Sequence, residues 1–113
     1  PVFSLLCTTT TQFHHFEPGG TRSNHAYRLF SVKEFRLFDK DCILDFEEDL
    51  HDISQDILER CSDQIQIKGR LDENTMRSIY KQFSRPGVVS KVILIDIYDS
   101  FNRDGITGLK KPK

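Results

Sequence analysis

Between Asp45 and Ile65 the chain reads DFEEDLHDISQDILERCSDQI, and Phe46, Leu50, Ile53, Ile57 and Cys61 recur at intervals of four, three, four and four. That is the spacing of one face of an α-helix, with Leu58 and Ile65 widening the stripe. Glu47, Glu48, Asp49, Asp52, Asp56 and Glu59 stand between the apolar positions. A helix here must bury one face and leave an almost wholly acidic face outside. Asp45 suits its N-cap, and Glu48, three residues on, completes an Asp version of the capping box. The acidic first turn also matches the positive end of the helix dipole.

The rest of the chain supplies elements for that stripe to cover. Val2 to Thr10 is apolar and then threonine-rich, which favours a strand. Pro18, Gly19 and Gly20 mark a loop. HAYRLFSVKEFRLF, from His25 to Phe38, reads as one strand or two short ones, giving an antiparallel pair around the Gly-Gly loop within the first 38 residues. Ser62 to Lys68 alternates polar and apolar, as a short strand or a fraying helix end would. A second helix is expected over Glu73–Phe83, capped by Asp72, with Met76, Ile79, Tyr80 and Phe83 on one face and Arg85-Pro86-Gly87 ending it. Val88 to Tyr98, VVSKVILIDIY, carries the strongest strand signal, and its unbroken aliphatic run predicts an interior strand covered on both faces. The predicted class is α+β: a small, mostly antiparallel sheet with two helices packed on one face, a two-layer sandwich. The 113 residues fit one domain, taken as 1–104, followed by a basic, mobile tail at 105–113.

Charge is distributed unevenly. The net charge is −1, which by itself argues for neither nucleic acid nor a membrane surface. Residues 39–63 hold ten acidic side chains against Lys40 and Arg60, while residues 64–113 are net basic. The acidic face is thus either solvated surface set against the domain's own basic half, or a surface for a basic partner. Cys7, Cys42 and Cys61 form no disulfide framework and no CxxC pair, which points to a reducing intracellular compartment, cytoplasm or organelle matrix. No apolar run approaches the roughly 20 residues that span a bilayer. VFSLLC is short for a signal-peptide core and has no basic flank. Pro at position 1 fits either removal of an initiator Met or cleavage of a longer leader.

Several constellations invite chemistry. His14, His15 and His25 lie in or beside one loop, with Glu17 and Cys7 near in sequence, but they lack the paired spacing of a structural zinc site, so no metal is expected. Asp39 and Asp41 match the first two ligands of an EF-hand, and the pattern then fails: Leu44 stands where the turn glycine belongs and Leu50 where the bidentate Glu belongs. Six carboxylates on a solvated face make poor acid–base machinery. Asp96, inside VILIDIYD, is expected to mark the end of a buried run. Arg22, Arg28, Lys33 and Arg36 interleave with Tyr27, Phe30 and Phe35 as in sheets that stack single-stranded bases, but no RNP1-like string is present, and core aromatics under snorkelling arginines explain the same letters.

PVFSLL, FEPGGTRSNHAY and KVILIDIYDSFNRDG each resemble pieces of tautomerase-superfamily chains of the macrophage-migration-inhibitory type, which also begin with Pro followed by a strand. The resemblance implies an isomerase with the Pro1 amine as general base. It covers about a third of the chain. The chain departs from that family in placing its long helix at Asp45 rather than directly after the first strand, and in lacking a Lys there. The leading expectation is instead a non-enzymatic interaction module without cofactors, a small subunit of a larger assembly that offers Glu48, Asp52, Asp56 and Glu59 and the flanking loops to a basic protein partner or an oligomer mate. The tautomerase-like isomerase is the alternative.

Overall fold

The computed structural model describes residues 3–47 and 51–112. Its chain divides into two compact units, Pro1–Gly69 and Arg70–Lys113. All described strands belong to the first and the two longer described helices to the second. The α+β class, with a small antiparallel sheet, is that predicted from the sequence.

In the first unit, β1 (Phe3–Leu6) pairs antiparallel with β5 (His51–Ser54). A separate three-stranded antiparallel sheet is built from β2 (Thr9–Thr10), β3 (Tyr27–Phe30) and β4 (Cys42–Asp45), in the order β2-β4-β3. Every residue of β4 is buried, so CILD is the interior strand of the protein. Both neighbours pair with it: Thr9 lies opposite Leu44, and Arg28 lies opposite Leu44 from the other side. The strands flanking the Gly-Gly loop therefore do not pair with each other, contrary to the expectation from the sequence. β4 comes between them because its side chains find apolar cover on both faces.

Phe30 is fully buried, with the ring of Phe35 edge-on at 5.1 Å and that of Phe38 tilted at 5.1 Å. Phe16, Ala26 and Phe46 complete this core. Each buried Phe contributes about 1.5–3 kcal/mol by removal of apolar surface from water. The chain then enters α1 (Gln55–Arg60), where the Ser54 hydroxyl accepts from the Ile57 N–H at 3.3 Å.

The helix expected across 45–65 is thus corrected. Asp45 ends strand β4, Phe46 and Glu47 form a turn, His51–Ser54 is strand β5, and among the described residues α-helix is confined to Gln55–Arg60, followed by a 3-10 turn at Ser62–Gln64. Like charges spaced four apart, such as Asp52 and Asp56, oppose a continuous helix. The apolar run Cys42–Leu44 with Phe46 finds more burial as strand and turn than as one stripe.

In the second unit, α2 (Glu73–Phe83) begins and ends where the sequence places it, and the Asp72 carboxylate accepts from the Thr75 N–H at 3.1 Å. Thr75, Ile79, Tyr80 and Phe83 are its buried face. The run predicted as an interior strand is instead α3 (Lys91–Arg103). The physical reason lies at its ends. Ser90 caps it, accepting from the Ile93 N–H at 3.3 Å. At the other end Ile106 N–H reaches the Phe101 carbonyl at 2.9 Å and Gly105 N–H reaches Asn102 at 3.1 Å, a Schellman motif with Gly105 at φ +87°. Within α3 Ile97 is buried, whereas Val92 and Ile95 of the aliphatic run are exposed.

Residues 105–112 lie along α2. Ile106 is buried, Arg77 Nε donates to the Thr107 carbonyl at 2.8 Å, and the Tyr80 hydroxyl donates to the Lys110 carbonyl at 2.6 Å. Among the described residues no helix is long and apolar enough to cross a membrane.

Candidate binding edge

The loop between β2 and β3 is shaped by its own backbone. Phe13–Phe16 forms a 3-10 turn, the Gly20 N–H donates to the Glu17 carbonyl at 2.8 Å, and the Arg22 N–H donates to the His15 carbonyl at 2.7 Å. A Cβ on Gly20 would lie 2.6 Å from the His14 carbonyl oxygen and closer still to that of His15, so only glycine fits there. The His15 ring holds the turn on both sides, through Gln12 Oε1 at 2.8 Å and the Thr21 hydroxyl at 3.1 Å.

That loop delivers Arg22 and His25 to Asp45 at the end of β4. Asp45 is only 2% exposed. Its carboxylate accepts from His25 Nδ1 at 2.9 and 3.2 Å and from the Glu47 N–H at 2.9 Å, with an Arg22 guanidinium nitrogen at 3.5 Å. The Glu47 carboxylate in turn accepts from the Ala26 N–H, and the Phe46 N–H donates to the Ala26 carbonyl at 3.0 Å. This network clips the start of β3 to the end of β4. Sequence reading gave Asp45 a different role, as a helix cap, because its partners stand 20 and 23 residues away. The described hydrogen bonds of the His25 ring are to Asp45 alone. Burial pushes the Cys7 and Cys42 thiols above their ordinary value, which keeps both protonated.

From this clip β3 runs as the outer strand of its sheet, with no described strand on its far side. The register and the Phe46-to-Ala26 bond make Ala26, Arg28 and Phe30 the positions that face β4. Tyr27 and Leu29 therefore point their backbone N–H and C=O groups away from the sheet. Their side chains are 40% and 52% exposed. Tyr27 is steadied by the Phe16 ring, 5.0 Å away. Arg28, on the opposite face, lays its guanidinium over Phe30 at 5.4 Å and Phe35 at 5.8 Å.

The residues singled out from the sequence are dispersed. Asp56 and Glu59 are exposed on α1 and, with Arg60, line a shallow open concavity. Asp52 lies on β5, not on a helix, and pairs in register with Leu5. Glu48 and Pro1 lie outside the described residues. Among the described residues Asp52 does not share a helix face with Asp56 and Glu59, since α1 begins at Gln55 and is six residues long. Among the described residues no three His, Cys, Asp or Glu side chains converge as metal ligands would. The signal for the edge was in the sequence: Tyr27 and Leu29 alternate with Arg28 and Phe30.

Comparison with protein-family models, with curated proteins and with solved structures finds no match for this chain.

Proposed function

We propose that this chain is a non-enzymatic interaction module, a small subunit of a larger assembly, that takes up an extended segment of a partner protein along β3. One observation carries the reading. Tyr27 and Leu29 turn both their backbone hydrogen-bonding groups and their apolar side chains outward at the edge of a sheet. Strand addition uses that combination: the backbone groups supply affinity, and side chains alternating about them supply selectivity. The strand is only four residues long, and short edges are a means by which proteins avoid indiscriminate pairing. The Asp45 clip and the aromatic packing of Phe30 hold the edge in place before a partner arrives, which lowers the ordering cost of binding.

The test is selection of peptides from a displayed random library against the whole chain, followed by amide exchange in the complex. Selected peptides are expected to slow exchange at Tyr27 and Leu29. Leu29→Pro, which removes an outward N–H and leaves the β3–β4 ladder intact, should abolish binding. Leu29→Lys, a gentler change at the same exposed position, should weaken it several-fold. Peptides that bind both variants as tightly as the wild type, or leave the two amides exchanging freely, would refute the proposal.

A further inference from the structure

We infer that residues 110–113, Lys-Lys-Pro-Lys, are a recognition segment for a nuclear import carrier, a protein that takes short lysine runs into an acidic groove. The inference concerns the second unit and does not rest on the β3 edge.

From Gly105 to Lys113 the chain carries three lysines and no acid. The root of this segment is fixed on α2. Ile106 is buried, Arg77 Nε holds the Thr107 carbonyl, and the Tyr80 hydroxyl holds the Lys110 carbonyl. The side chains beyond that root face solvent: Lys110 and Lys111 are both exposed. Among the described residues neither ammonium takes part in an ion pair. Glu73, an acid at the start of α2, is already paired with Arg77 at 3.0 Å. Pro112 disfavours helix at Lys111 and sets it in extended backbone. A segment that is exposed, fixed at its root and barred from coiling loses little freedom when a partner closes on it.

The chemistry of the run selects the kind of partner. Each ammonium offers three donors and no acceptor, so its strong partners are carboxylates and phosphates. Neighbouring side chains on extended backbone point to opposite sides, so Lys110 and Lys111 are met together only by a partner that reaches around the chain. An acidic groove does so. The unit behind the run, with nine Lys and Arg against five Asp and Glu between positions 70 and 113, attracts such a groove.

Two other occupants fit less well. Anionic lipid surfaces are read by clusters of roughly four to eight Lys or Arg, or by a basic patch together with a lipid chain. Single-stranded nucleic acid is held by basic grooves that also stack bases on aromatic rings, and Tyr80, the ring bonded to this segment, is 2% exposed.

The experiment fuses the full chain to a fluorescent protein assembly too large to diffuse through nuclear pores. The fusion is given to permeabilised cultured animal cells with and without added cytosol. The wild type should accumulate in nuclei only when cytosol is supplied. Lys110→Gln combined with Lys111→Gln should lower the nuclear-to-cytoplasmic ratio to that of the fusion partner alone. Lys81→Gln combined with Arg85→Gln removes the same charge from α2 and should leave the ratio unchanged. Should the first variant fold poorly, the free peptide of residues 108–113 in large excess decides, since it should abolish accumulation of the wild type.

Absence of accumulation with cytosol, or accumulation that survives the change at Lys110 and Lys111, would overturn the inference. An equal loss in the Lys81 and Arg85 variant would also overturn it, by making net charge the signal. Binding of the wild type to phosphatidylserine-containing vesicles or to oligothymidine in ~150 mM salt, lost on changing Lys110 and Lys111, would assign the segment to a membrane or to nucleic acid and overturn it as well.

Discussion

Replacing Asp45 separates two roles for the same residue. In Asp45→Ala the part-buried Glu47 N–H, which the buried Asp45 carboxylate holds at 2.9 Å, loses its acceptor. A donor left unsatisfied costs about 1–3 kcal/mol when fully buried, and a part-buried one lies toward the lower end of that range. The His25 and Arg22 side chains are 27% and 32% exposed, so water replaces much of what they lose, and each adds well under about 1 kcal/mol. The total is about 2 kcal/mol. In Asp45→Asn the side-chain carbonyl can still accept from Glu47, and the expected loss falls to about 1 kcal/mol. A helix N-cap would behave otherwise, with Asn nearly equivalent to Asp and Ala costing about 1 kcal/mol. Because the chain has two units, the assay should report on this sheet alone. Urea-dependent exchange of the Arg28 and Leu44 amides, which pair across β3 and β4, meets that need. Asn as costly as Ala, or Ala within about 0.5 kcal/mol of the wild type, would refute the clip.

Gly20→Ala should cost more than about 1 kcal/mol and speed exchange of the Arg22 amide, because the new methyl group collides with the His14 and His15 carbonyls. Tyr80→Phe should destabilise the second unit by about 1 kcal/mol by removing the 2.6 Å bond to the Lys110 carbonyl, measured by exchange along α2. Burial, and then the neighbouring Tyr98, raise the Tyr80 phenol above its ordinary value of 10.0; its contribution is therefore complete below that pH and fades as pH rises through the higher folded value, a loss visible by circular dichroism in alkali. The hydroxyl of Thr75, and then its N–H, hold the Asp72 carboxyl below the usual carboxylate range. Its contribution is present above pH ~4 and is lost as pH falls through the lower folded value, so acid should fray the start of α2, and Asp72→Ala should remove that acid step.

Helix α2 was legible because every local cue agreed: Asp72 at the cap, an apolar stripe, and Arg85-Pro86-Gly87 after the end. At α3 the cues conflicted. Ile93, Leu94 and Ile95 carry strand propensity, whereas Ser90 and Asp104-Gly105 carry helix ends, and the end chemistry prevailed. Around Asp45 a three- and four-residue rhythm was present without a helix. Leu50 and Ile53 matched Phe46 in spacing, but Cys42–Leu44 gains burial on both faces as a central strand, and spacing alone does not weigh that gain. The pairing of Asp45 with His25 and Arg22 joins positions at least 20 residues apart, which no local pattern encodes. The alternation of Tyr27 and Leu29 was readable, but whether that strand is central or peripheral is a property of the whole sheet.

The packing of residues 105–112 on α2 bears on where this protein can be cut. Gly105 looks like a natural place to stop, a turn after the last helix followed by lysines. Yet shortening the chain there would strip Ile106 from its buried site and leave the Tyr80 hydroxyl, in a side chain 2% exposed, without the Lys110 carbonyl. A two-helix hairpin offers little interior of its own, so this plain extended segment is its third wall. Fusion junctions, protease sites and deletion series should respect it as they would a helix.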